Sequence, residues 1–328
     1  MPSTDNTTEG ENVSGTAEEV SPSFKAAKSI LLTVMSAIAI SFAGEFTAII
    51  SKEGLPNFQM LFLKRFIELL TLIPILVFCR PKLTGKTRRQ NIILFLFSIF
   101  TNAVMIAHML SCVYTVPGIA FGIMQGLMPF LVACIGFLFL KESLFLADVC
   151  GIFISVTGVV LVVVGNTQVD GMSTKLLVLS IVIPLTASFV IAPEAVFMRY
   201  LTGILEVPIV TSMLYMNLVG SVALLGITYS AETPVWTMSL RTVLYVVGLG
   251  FCKSLSNIFL LAGLKNVKAY ISTTVRMFVI PFTLMLDYFF LQKVPNSFHV
   301  AGVVLVMLGV VFVSAHTWWR ERQKERRV

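Results

Sequence analysis

Ten apolar runs, each about the 20 residues that cross a bilayer as a helix, limit what this chain can fold into. They cover roughly 26–51, 57–79, 90–113, 117–140, 144–165, 174–199, 207–229, 240–264, 268–291 and 297–319. The connections are short and carry breakers such as Gly54-Leu55-Pro56, Pro117-Gly118 and Val294-Pro295-Asn296. None is long enough for a soluble domain. Composition agrees: 56% of the 328 residues are hydrophobic and 12% are charged. Soluble domains carry about 25% charged residues. The expectation is an all-α membrane protein with ten transmembrane helices.

A net charge of +7 invites a nucleic-acid reading, but the basic residues fall in short loops and a tail, not on a soluble basic face. They read better as topology. With a cytosolic N-terminus, sixteen Lys and Arg lie inside, four lie outside, and four are within spans. An even span count then leaves both termini cytosolic, in a multi-pass protein of the plasma membrane or an endomembrane. Residues 1–24 are polar and read as a disordered cytosolic tail without a signal peptide. Residues 320–328 form a basic cytosolic tail. The sequons at Asn6 and Asn12 should stay unmodified on the cytosolic side. The five cysteines show no metal or disulfide spacing and read as small buried hydrophobes.

The chain repeats itself, as 25–165 and 166–319. Ser41-Phe42 precedes Glu45 in span 1, and Ser188-Phe189 precedes Glu194 in span 6. Pro129 in span 4 corresponds to Pro281 in span 9, and Gly151 and Gly158 correspond to Gly302 and Gly309. Seven residues is about two helical turns, so each glycine pair lies on one helix face and permits close packing. Five spans per half is an odd number, so the second half must enter from the opposite side. Two inverted five-helix repeats point to a secondary transporter with its site near the midplane.

At these residues the chain resembles the drug/metabolite transporter superfamily, and within it the EamA-type ten-helix carriers. The stretch that carries the resemblance runs from Ala120 through Pro129 to Leu140-Lys141-Glu142, followed by Gly151 and Gly158. The second copy departs where Gln292-Lys293 stands in place of the terminal acid, which favours a helix-end structural role for Glu142. Length and tails look closest to solute carrier family 35, group G. The resemblance implies a carrier of small organic solutes, often anions. Its partners would be a small-molecule substrate and the lipid bilayer. A coupling proton or counter-substrate and a homodimer are further candidates.

Charged groups at the bilayer centre cost at least roughly 2.5–3.5 kcal/mol and usually face the bundle interior. Span 2 holds Lys64, Arg65 and Glu68, so one carboxylate stands against two cations. Arg65 suits an anion site through its planar fork, and Lys64 is a second candidate; an intramembrane ion pair with snorkelling is the alternative. Lys253 and Asn257 share a face of span 8, and Asn102 lies at nearly the same depth of the related span 3. Arg276 precedes Pro281 as Gln125 precedes Pro129, which suggests polar groups beside two gating prolines. Glu45 and Glu194 would either titrate or neutralise Lys253 or Arg276 in the empty site, and neutralisation is the preferred reading. His108 would relay protons or serve as a hydrogen-bonded structural histidine. Tyr114, Tyr270, Trp318 and Trp319 read as interfacial anchors.

No zinc-protease motif, nucleophile elbow or phosphate loop is present: Gly248 to Ser254 lacks the glycine before Lys253 and lies within a span. No catalytic residue, metal or cofactor is expected, and the chain does not read as an enzyme. The expected function is alternating-access transport, secondary-active or facilitative, of a small organic anion such as a carboxylate or phosphorylated metabolite. The other class considered is a non-transporting scaffold or regulator on a carrier fold. Movement of any solute by reconstituted protein separates the two.

Overall fold

A computed structural model describes residues 22–80, 85, 87–114, 117–142, 144–167, 174–291 and 296–326. The N-terminal sequons lie outside them. The helices are α1 (Pro22–Lys52), α2 (Asn57–Cys79), α3 (Arg88–Tyr114), α4 (Pro117–Leu140), α5 (Leu146–Thr167), α6 (Thr174–Arg199), α7 (Ile209–Ala231), α8 (Leu240–Leu264), α9 (Ala269–Arg276), α10 (Val279–Leu291) and α11 (Ser297–Glu325). A π-helical turn, Tyr200–Ile204, follows α6. No strand occurs among the described residues. Nine helical stretches among them are long and apolar enough to span a membrane. The tenth span is α2, which Lys64, Arg65 and Glu68 make more polar. α11 continues as helix past the last apolar residues to Glu325.

Local chemistry sets the element ends. α2 and α7 each follow a proline, Pro56 and Pro208, at matching places in the two repeats. Proline fixes its own φ and cannot extend a helix backwards. Ser239 caps α8 by accepting the Thr242 amide at 3.1 Å. The ninth span is broken. Pro281 has no amide for the Met277 carbonyl, so the Ile280 amide turns to that oxygen at 2.9 Å. The Phe278 amide likewise reaches Val275 three residues back. The chain tightens over Met277 and Phe278 and restarts as α10. α4 runs unbroken past Pro129.

Corresponding helices of the two repeats pack antiparallel, α2 against α7 and α5 against α11. That pairing is the inversion. The repeated glycines face one another across α5 and α11. A Cβ on Gly158 would lie 2.5 Å from the Gly302 carbonyl oxygen, and one on Gly309 would lie 2.6 Å from the Gly151 carbonyl oxygen. α1 lies along α8 through a polar seam in which Ser36 and Ser256 hydroxyls meet at 2.9 Å. The repeat-related contact, α3 with α6, is much thinner. Many large apolar side chains, such as Phe78, Phe139, Val222 and Phe289, point outward. In water such a surface would aggregate, whereas lipid tails solvate it. Cys134 and Cys150 share this outer surface, contrary to the expected burial. In a bilayer an apolar side chain gains little from leaving the outer face.

Candidate substrate site

Midway along the helices, two sets of charged side chains sit side by side. The first is sealed. Arg65 on α2 is 2% exposed and Glu68, one turn on, is 0% exposed. Arg65 Nη1 donates to Glu68 Oε2 at 3.0 Å and to Asn217 Oδ1 on α7 at 3.2 Å. Its Nε donates to Asn102 Oδ1 on α3 at 3.0 Å. Asn257 Nδ2 on α8 donates to Glu68 Oε2 at 3.2 Å. Asn102 is fixed in turn by the Ser98 and Met216 carbonyls, and it fits because Gly220 has no side chain to strike it. A buried ion pair survives desolvation when further hydrogen bonds support it, as Asn102, Asn217 and Asn257 do here, although Glu68 Oε1 and Asn217 Nδ2 are buried without a partner among the described residues. Four helices are tied together here.

The second set is half-buried: Lys64 on α2, His108 on α3, Glu194 on α6, Lys253 on α8 and Arg276 at the end of α9. Lys253 lies within the electrostatic reach of Arg276 and Lys64. Glu194 interacts with Lys253, Arg65 and Arg276, and His108 feels Lys64, Lys253 and Arg276. Three cations from both repeats thus stand near Glu194, and Glu68 of the sealed set also acts on Lys64 and Lys253. Gln125 is half-buried on α4, and Glu45 is buried on α1. Arg276 closes α9, where a cation complements the negative helix end, beside the break that Pro281 causes.

A further polar group closes the face that bears both chain ends. Arg199 Nε lies 3.4 Å from Glu142 Oε1, and its Nη1 donates to the Leu264 and Lys265 carbonyls at the end of α8. The Ala269 amide, opening α9, donates to Glu142 Oε2 at 3.3 Å. Burial pushes the Glu142 carboxyl above its ordinary value, while Arg199, the Ala269 amide and Lys268 pull it back. Nearby, the Tyr270 hydroxyl donates to Asp148 Oδ2 at 2.6 Å, and His316 Nδ1 lies 2.9 Å from Asp148 Oδ1. Tyr270 is fully buried, so the anchor expected there is a core hydrogen bond instead. Asp148 supplies the partner that makes burial of the hydroxyl tolerable. The Tyr114 side chain lies outside the described part of the protein. Trp318 and Trp319 are exposed, and Arg322 stacks over Trp318 at 5.1 Å.

Sequence reasoning named most of the sealed and open groups without separating them. It assigned no role to Asn217, and it did not bring Arg199 to Glu142. The end-of-helix positions of Glu142 and Arg199 were the available signal.

An all-helical, two-repeat membrane bundle with a charged mid-span centre is the architecture of a multi-pass carrier. The comparisons define it further. The EamA-like transporter family matches residues 27–164 and 178–315, one match per repeat, and the chain belongs to that family. It is a membrane transporter family for small solutes, not an enzyme family. A comparison with curated proteins found no significant match. A protein of known crystal structure superposes with a TM-score of 0.69 over 89% of this chain and 95% of its own, at 16% identity. That likeness speaks for the fold alone.

Proposed function

We propose that this transporter moves small organic anions, such as carboxylates or phosphorylated metabolites, by alternating access. The observation that supports the reading is that Lys64, Lys253 and Arg276, from three elements of both repeats, are half-buried along their spans and within electrostatic reach of one another or of Glu194. Mutual repulsion of the cations is relieved by an arriving anion. Arg276 and Lys253 are the principal ligands, with Lys64 at the rim and Gln125 and His108 orienting the solute. Glu194 neutralises the cations while the site is empty; Glu45 is its counterpart in the other repeat. Arg65, Glu68, Asn102 and Asn257 hold the frame, because the guanidinium of Arg65 is already engaged by Glu68, Asn217 and Asn102. Pro281 supplies the flexible point beside Arg276. The Lys and Arg distribution supports a cytosolic position for the face that bears both chain ends.

The test is a thermal-shift screen of purified protein against organic anions and cations. A ligand at about 100 times its Kd stabilises the folded state by about 2.7 kcal/mol. Stabilisation by one anion class, lost in Arg276→Ala, is the expected result. Stabilisation by cations only, or an anion effect unchanged in Arg276→Ala, overturns the reading.

A further inference from the structure

We infer that Glu142, Arg199 and Gly203 form a latch that holds the termini-bearing end of the transport path closed and must open in each cycle. The inference rests on the carrier reading but not on the identity of the solute.

Three unusual local structures build this one contact. Lys141 ends α4 in the left-handed region, at φ 52°, where a side chain is disfavoured. That turn lets the Glu142 amide reach back to the Gly136 carbonyl at 3.3 Å and swings the carboxylate over the start of α9. Beyond Arg199 the helix widens into the π-turn Tyr200–Ile204, a feature that recurs at functional sites. Gly203 lies in that turn directly under the Arg199 guanidinium, so any Cβ there would displace it. The result ties α4 of the first repeat to α6, α8 and α9 of the second.

The latch has no copy at the repeat-related position. Gln292-Lys293 occupy the place of Glu142 in the second repeat, so the sequence supplies no acid there. The 151-residue offset that relates Gly151 to Gly302 also takes Asp148 to His299 and His316 to Gly165. The Asp148–His316 contact at one end therefore becomes a histidine packed on a glycine at the other, where a Cβ on Gly165 would lie 2.8 Å from the His299 ring. The repeat-related positions thus carry no copy of these clasps, and the opposite end is held by different carboxylates: Glu232 accepts from the Phe58 and Gln59 amides, and Glu53 accepts from the Thr242 hydroxyl.

Site-directed labelling tests the latch without a known substrate. Gln125→Cys is placed in a chain whose five native cysteines are serine, and sealed vesicles receive a membrane-impermeant maleimide from the termini-bearing side. Glu142→Gln removes the ion pair. Gly203→Ala keeps every charge and only unseats Arg199. Both variants should label about tenfold faster than the parent from that side, the change expected for losing a charged hydrogen bond. Equal rates in parent and both variants, with unfolding temperatures matched, overturn the latch. A rise in Glu142→Gln but none in Gly203→Ala also overturns it, because the seat of Arg199 would then be irrelevant. Failure of the anion reading shows in the thermal-shift screen and leaves this result unaffected.

Discussion

Lys64 and Arg65 are adjacent in sequence and have different surroundings. One step along a helix turns about 100°, so Arg65 points into the junction of α2, α3, α7 and α8 while Lys64 turns away from it and is only half-buried. The sequence shows that Glu68 can neutralise one of the two cations. It does not show which, since i+3 and i+4 are both within reach. Asn102 and Asn217, distant in sequence, decide the matter. Removing one partner leaves a buried charge uncompensated, at a cost of about 3–5 kcal/mol. Arg65→Ala should therefore unfold at a markedly lower temperature, and the double variant Arg65→Met/Glu68→Leu should recover much of the loss. If the double variant falls as far as the two singles together, the pair does not act as a unit. Lys64→Ala should leave the unfolding temperature nearly unchanged and weaken anion binding.

The mid-span proline of the ninth span is plain in the sequence, and so is a bend there. Whether a proline interrupts the helix depends on what else can satisfy the freed backbone. At Pro281 the chain tightens to three-residue hydrogen bonds and breaks; at Pro129 it does not. The glycine spacing likewise puts two small residues on one face, yet only the antiparallel pairing of α5 with α11 makes them each other's partners. At Gly158 the atoms in the way are backbone, which cannot move aside cheaply. Gly158→Ala should cost about 1–3 kcal/mol, as overpacking does. A Cβ added at Gly226 would meet nothing within 4 Å, so Gly226→Ala should change stability by less than about 0.5 kcal/mol. Thermal unfolding in detergent compares the two. Equal effects would mean that the α5–α11 approach is looser than described.

At the scale of the whole molecule, the ten spans, the two repeats and their inversion were legible because bilayer thickness fixes span length and an odd span count fixes direction. The latch was not legible, because it joins helix ends from four elements and depends on a π-turn with no sequence signature of its own. Orientation in the membrane is set by the basic residues, so Asn6 and Asn12 should remain unglycosylated when the protein is expressed in a secretory-pathway membrane. A mobility shift removed by glycosidase and lost in Asn6→Gln/Asn12→Gln would reverse the assignment of faces. In the proposed function, three cations at mid-membrane bind and carry an organic anion. Uptake of labelled anions into proteoliposomes tests it most directly. Uptake should stand well above that of protein-free liposomes and fall about tenfold or more in Arg276→Ala and in Lys253→Ala, the loss expected when a charged substrate contact is removed without unfolding. Undiminished uptake in both variants, or uptake of cations alone, would contradict it.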